Sequence, residues 1–330
     1  MGKVNLYRLR LQPHGATLSP WQADTIFGHL CWEAFFQGGE QGLKDFLAPF
    51  RAGTPPFVLS DGFPDDMLPR PFLPPPTFVD ASKSTRVQVL TDAKKGKGVT
   101  LLTQSQFEQV LRGERVIFTE EATSKLKATP RLVLKNQINR LTNTTAGADE
   151  DEASGNLYAV EEKRVFREVG EKKEPVSITI YLWAANDEKA KEAENWFRLL
   201  ARGGYGKKKS VGYGHFDLLG YEPFSINVPD DANAVVALAH FVPAAKDPRD
   251  GFYKTRVKYG KLGEAAILKG NALSPFKKPL VMLSAGSTFY SDQPRNYLGR
   301  LVGSIHREDS TIVQGAFAPV VPIKLPPREK

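Results

Sequence analysis

Fourteen residues, GGYGKKKSVGYGHF at positions 203–216, gather groups that suit an anion. Gly204, Gly206, Gly212 and Gly214 let the backbone take positive φ and come close to a ligand. Lys207, Lys208 and Lys209 supply consecutive positive charge, and Ser210 supplies a hydroxyl. Tyr205 and Tyr213 offer ring faces on which unpaired bases stack. Amides exposed beside lysines suit phosphodiester oxygens. The pattern is not a nucleotide-hydrolase loop, because G-x-x-x-x-G-K-[ST] is absent and a helix is expected before it. It is not a dinucleotide fingerprint either, because no helix is expected after it. A plain helix-ending turn is the competing reading.

A second basic run lies at 122–140, ATSKLKATPRLVLKNQINR. It holds Lys125, Lys127, Arg131, Lys135 and Arg140 with no acidic residue. Its Asn136 and Asn139 can read base edges or cap turns. His14 sits in a turn, PHGATLS, and His29 lies beside an apolar helical stripe and reads as packing. With His215, His240 and His306, the histidines are scattered, and Cys31 is the single cysteine. No ligand spacing for zinc exists and no intramolecular disulfide is possible, so neither metal nor cofactor is expected.

These groups need elements to hold them. KVNLYRLRLQP (3–13) alternates as a strand and ends at proline. Residues 18–39 carry Ile26, Phe27, Leu30, Cys31, Ala34 and Phe35 at helical spacing. Ser19 reads as the cap, Pro20 as the first position and Gly38-Gly39 as the stop. A shorter helical piece (41–50), a strand (56–64) and a proline-rich arm (68–76) follow. From about 80 to 155 periodicity is weak and charge high, ending in the acidic GADEDEASG. This stretch is expected to project from a domain, outside its core. Strands are expected at 156–166 and 176–185. A helix at 186–204 follows, capped by Asn186 or Asp187, with Ala193, Trp196, Phe197 and Leu200 as its apolar stripe. A strand then leaves the glycine-rich stretch at 215–224. Further strands are expected at 234–244, 251–260, 278–290, 299–305 and 314–325, with a short helix at 261–270. The order is that of an α+β, ferredoxin-like unit with antiparallel sheet, followed by a strand-rich second domain.

Composition agrees. The chain has 330 residues, 41% of them hydrophobic and 25% charged, enough for a sizeable core and typical of two domains. The net charge of +8 favours a polyanionic partner. No signal peptide and no apolar run of membrane-spanning length is present, so a cytoplasmic, membrane-free protein is expected.

The glycine-rich stretch resembles the glycine-rich loop of the RAMP superfamily of CRISPR proteins. LSPWQADTIFGHLCWEAF, with Asp24, Thr25, Ile26, Phe27 and Gly28, is similar to the first helix of that superfamily. FVLSDGFP…LPRPFLPP, KNQINRLTNTT…GNLYAVEE, KKPLVMLSAGSTF and GAFAPVVPIKL fit in order. Together they resemble the subunit of type III-A (Csm) effector complexes that holds the 5′ end of the guide RNA. The resemblance implies two ferredoxin-like (RRM-like) domains, 1–222 and 223–330, with an inserted thumb at about 80–155 in the first. It implies binding of the repeat-derived 5′ handle of CRISPR RNA and contacts with the large polymerase-like subunit and the backbone RAMP subunit. Target RNA is then met only indirectly, and no catalytic role is implied. The loop 204–214 and Lys125, Lys127, Arg131, Lys135, Asn136, Asn139 and Arg140 are the candidate RNA contacts. His14, in a turn opposite where the family places RNA, is a further candidate that reads equally well as a turn histidine. The sequence departs from the family in Trp21-Gln22 and in the acidic stretch at 148–152. The rival reading is a RAMP endoribonuclease that processes repeat RNA, with His14 and either Tyr205 or a loop lysine supplying the base and the stabiliser of the leaving oxygen.

Overall fold

The computed structural model describes residues 2–75, 96–118, 126–136, 157–263 and 274–328, with isolated positions between 87 and 94 and residue 138. Strand β1 (Gly2–Pro13) is followed by helix α1 (Ala23–Arg51) and strand β2 (Phe57–Pro64). Gly39 breaks helix α1 with φ 62° and ψ −150°, which accounts for the expected pair of helical pieces. The helix starts at Ala23, four residues after the expected cap at Ser19. Its first amide donates instead to the carboxylate of Asp61, at 2.9 Å.

Short strands β3 (Leu68–Pro69) and β4 (Leu101–Leu102) pair with each other, and helix α2 (Gln104–Leu111) follows. Thr103 and Gln106 form a capping box at its start. Here the structure corrects the expectation that 80–155 lies outside the core. Val99, Leu102, Phe107, Val110 and Leu111 are buried against Leu6, Tyr181, Ile226, Val236 and Ile323. The projecting part is a hairpin of β5 (Leu126–Asn136) and β6 (Leu157–Val169), extended by β7 (Lys172–Pro175). The strand expected at 156–166 therefore belongs to this separate three-stranded sheet and not to the sheet that holds 176–185.

Strand β8 (Ile178–Ala184), helix α3 (Asp187–Gly203) and strand β9 (Phe216–Val228) complete the first unit. Asn186 caps α3 by accepting from Lys189 N, and Ala190, Ala193, Phe197 and Leu200 are buried. The sheet order is β2-β8-β1-β9, all antiparallel. Counted along the unit, with the insertion set aside, this is 2-3-1-4, the ferredoxin-like arrangement.

The second half contributes β10 (Ala234–Ala237), β11 (Gly251–Phe252), β12 (Thr255–Lys258), β13 (Leu280–Leu283), β14 (Thr288–Tyr290), β15 (Tyr297–Val302) and β16 (Gln314–Ile323). Its larger sheet runs β11-β14-β10-β16-β15. Among the described residues of 229–328 there is no helix; the helix expected at 261–270 falls largely outside them. The two halves share one interior. Val235, Ala237 and Phe317 pack with Leu9, Ile26, Phe27 and Phe197, while Val236, Val321 and Ile323 pack with Leu6 and Ile226. One face of each sheet thus feeds the first cluster and the other face the second. No helix among the described residues is long and apolar enough to cross a membrane.

Candidate nucleic-acid interface

The glycine-rich stretch leaves the C-terminus of α3 through Gly204, at φ 74°, and turns back through a short 3-10 segment, Lys209–Val211. Gly206, Gly212 and Gly214 also have positive φ, as does Lys208. Tyr205 pins the loop to the body. It is 1% exposed, stacks on Trp21 with ring centroids 4.2 Å apart, and donates its hydroxyl to Pro20 O at 2.5 Å. It also accepts from Gln22 N at 3.3 Å. Burial holds its phenol well above the ordinary range. Tyr205 therefore cannot stack on a base in this fold, and its hydroxyl is committed to backbone. Both the base-stacking assignment and the rival use of Tyr205 in RNA cleavage are corrected.

Most of the loop's amides are committed too. Tyr205 N donates to Gly214 O, Gly214 N to Ala16 O, and Val211 N and Tyr213 N to Lys208 O, while Gly212 N donates to Lys209 O. Gly206 N donates to His29 Nε2 at 3.0 Å, and Lys207 N to Ser19 Oγ at 3.1 Å. The glycines thus serve tight internal closure, and the charge on offer comes from the lysine side chains. Lys207 and Ser210 are exposed, and Lys208 and Lys209 half-buried.

His29 is the residue that sequence reasoning passed over as packing. Burial, with Lys209 nearby as the smaller cause, pushes its imidazole down to about 4. The neutral ring is required, because Nε2 accepts the Gly206 amide. A folded value below the ordinary 6.5 means that the unfolded chain binds the extra proton first. Stability is therefore lost as pH falls from about 6.5 to about 4 and is flat below. Between pH 7 and pH 5 the expected loss is about 2 kcal/mol. Urea unfolding at the two pH values measures it, and His29→Gln, which keeps an acceptor without a titratable ring, is expected to remove that part of the difference.

The base of the hairpin closes on the loop. Thr17 and Lys163 exchange backbone hydrogen bonds at 3.0 and 3.2 Å. Tyr213 is buried too: it donates its hydroxyl to Glu162, and Lys135 Nζ lies 4.2 Å from its ring centroid, so the expectation that its ring stacks on a base is corrected as well. Lys208 Nζ lies 3.8 Å from the ring centroid of Tyr158. Strand alternation puts Lys127, Arg131 and Lys135 on one face, opposite Phe166, Glu162 and Tyr158. Lys127 and Arg131 are exposed on that face, so loop and hairpin together present a lysine- and arginine-lined junction. Asn136 adjoins this junction on the hairpin's other face and is exposed. Lys125, Asn139 and Arg140 lie outside the described residues. His14 is exposed, with Nε2 3.1 Å from Asp217 and its amide on His215 O. Among the described residues no cluster of histidine, cysteine and carboxylate could hold a metal ion.

No protein-family model matches the chain, and no curated protein does. Solved structures do match. A chain in a crystal structure of a Csm1-Csm4 cassette in complex with AMPPNP is 17% identical, with TM-score 0.58, over 98% of this chain and 100% of that one. The cassette in complex with cA4 gives 18% identity and TM-score 0.55 over the same shares. The Csm3-Csm4 subcomplex of the type III-A CRISPR-Cas interference complex gives 13% identity and TM-score 0.53, over 97% and 99%. This chain therefore has, over nearly its whole length, the fold of chains found in those Csm1-Csm4 and Csm3-Csm4 structures.

Proposed function

We propose that this chain is a non-catalytic subunit of a type III-A CRISPR ribonucleoprotein, and that it binds and caps the repeat-derived 5′ handle of the guide RNA. In this reading it links the large polymerase-like subunit to the backbone subunit in the cytoplasm and meets target RNA only indirectly. The observation that carries the reading is full-length fold agreement with chains from both a Csm1-Csm4 cassette and a Csm3-Csm4 subcomplex. The chemistry of the junction supports it. Lys207, Lys208, Lys209, Arg131 and Lys135 suit phosphates, while Asn136, with Asn139 and Arg140, is assigned to the bases. The hairpin of β5 and β6 takes the role of the thumb. The second half is read as a reduced ferredoxin-like unit, because β11-β14-β10-β16 repeats the 2-3-1-4 order of the first sheet, with no helix among its described residues.

Replacing Lys207, Lys208 and Lys209 together by alanine is expected to weaken handle RNA binding. It is also expected to flatten the dependence of log K on log salt by about 0.7 for each phosphate no longer neutralised. Affinity titrations at several salt concentrations read both quantities. Unchanged affinity and slope would remove the loop from the RNA site.

A further inference from the structure

Strands β12 and β13 form a two-stranded ribbon outside both larger sheets. Its two segments, GFYKTRVKYGKLG (251–263) and SPFKKPLVML (274–283), hold Lys254, Arg256, Lys258, Lys261, Lys277 and Lys278 and no acidic residue. Two of these cations anchor it. Lys258 Nζ reaches Asp24 at 2.5 Å, and Lys277 is held against Gln314 at 3.0 Å. The other four are exposed, and among the described residues none of them pairs with a carboxylate. Aromatic rings stand between them. Tyr259 is 76% exposed, Phe276 55% and Tyr253 48%, and Lys261 Nζ lies 4.7 Å from the Phe276 ring centroid.

The ribbon also adjoins the glycine-rich loop. Lys258 Nζ donates to Gln22 Oε1 at 3.0 Å, and the Gln22 amide donates to the Tyr205 hydroxyl at the root of that loop. Lys278 Nζ donates to Ser304 O at 2.9 Å, Lys254 Nζ lies 4.9 Å from the Phe72 ring centroid, and Tyr253 stacks one face on Phe289, which leaves Arg256, Lys261 and the ring of Tyr259 as the most available groups. Exposed cations without a carboxylate partner, set beside an exposed ring, are what a single strand of nucleic acid needs. The phosphates meet charge while successive bases find rings. A protein partner would have to bring acidic groups to the same places.

We infer that this ribbon is a second single-stranded RNA surface, with Tyr259 as the stacking platform and Arg256 and Lys261 as phosphate contacts. It continues the track that starts at the lysine loop into the second half of the chain. The inference rests on the proposed function for the identity of the strand. The exposure of these side chains lets them be changed without disturbing the core.

The test titrates the full chain with a handle RNA that carries a short unstructured extension. The variants are Arg256→Glu with Lys261→Glu, Tyr259→Ala, Tyr259→Phe and the triple lysine-to-alanine loop variant. The double charge variant and Tyr259→Ala are each expected to bind about tenfold more weakly, and Tyr259→Phe like the unaltered chain. In a Tyr259→Trp variant, RNA is expected to quench the added indole fluorescence. If the ribbon variants bind normally while the loop variant is weakened, the ribbon inference is overturned and the proposed function stands. If neither set is weakened, both fall. If the ribbon variants keep RNA affinity but no longer copurify with another subunit of the complex, the ribbon is a protein surface and the RNA inference is overturned.

Discussion

Gly214→Ala is expected to abolish the folded glycine loop and to destabilise the chain by at least about 3 kcal/mol, in the exceptional range for a single substitution. Gly214 has φ 66°, where an L side chain is strained. A Cβ there would sit 1.8 Å from the carbonyl oxygen of Tyr205 and 2.9 Å from its carbonyl carbon. Those are backbone atoms, so no side chain can swing aside. Relief means parting the two strands of the loop, which breaks the Tyr205 N to Gly214 O bond and draws Tyr205 off Trp21. Gly212→Ala is the control. Its φ of 94° is also strained, but nothing lies within 4 Å of the new atom. Its expected cost is only about 1 kcal/mol. Denaturant midpoints of the two variants measure the difference; equal midpoints would contradict the close approach at Gly214.

Asp24→Ala is expected to cost about 3–5 kcal/mol, because it strips the carboxylate from buried cations. Asp24 lies in the first turn of α1 with its side chain fully buried, and it accepts from Lys258 Nζ at 2.5 Å and from Gln314 Nε2. Lys277 is buried close by. Burial pushes its ammonium below the ordinary range, and the Asp24 charge is the main influence that offsets this. Removing the carboxylate leaves Lys258 and Lys277 facing each other without an anion. Lys258→Ala alone is expected to cost less, since its side chain is one-fifth exposed and its removal leaves Gln314 on the carboxylate. Replacing both Asp24 and Lys258 by apolar residues of similar size is expected to recover part of the stability. A double-mutant cycle by urea unfolding reads the coupling, and a cycle with no coupling would contradict the pairing.

The parts of the fold carried by local pattern were legible in the sequence. Alternation in 3–13, the helical stripe of α3 with its Asn186 cap, and the order of elements around the insertion led to the first sheet. Helix α2 was hidden because it has eight residues and sits among charged segments. Its buried Phe107 shows only once β9 and β10 are in place. The start of α1 was misplaced because Ser19 serves the loop, through Lys207 N, while the cap comes from Asp61 in β2. Tyr205 was misassigned for a similar reason. Its partner Trp21 lies far away in sequence, and the glycine pattern reports the loop's backbone without revealing which side chains turn inward. The order of the second sheet was not legible in the sequence because β10, β11 and β14 are two to four residues long. No periodicity can be read from strands so short.

The central claim is that the chain holds the constant 5′ end of the guide RNA. The direct measurement is a competition for the assembled complex between two RNAs that differ only in their handle. Phosphate contacts cannot tell these apart, so any preference comes from recognition of the bases. By analogy with base readout in DNA, each mismatched base costs about 1–3 kcal/mol, and the native handle is expected to win by about tenfold or more. The triple lysine variant is expected to weaken both RNAs equally and leave the ratio intact. Equal binding of native and scrambled handles by the unaltered complex would contradict the account.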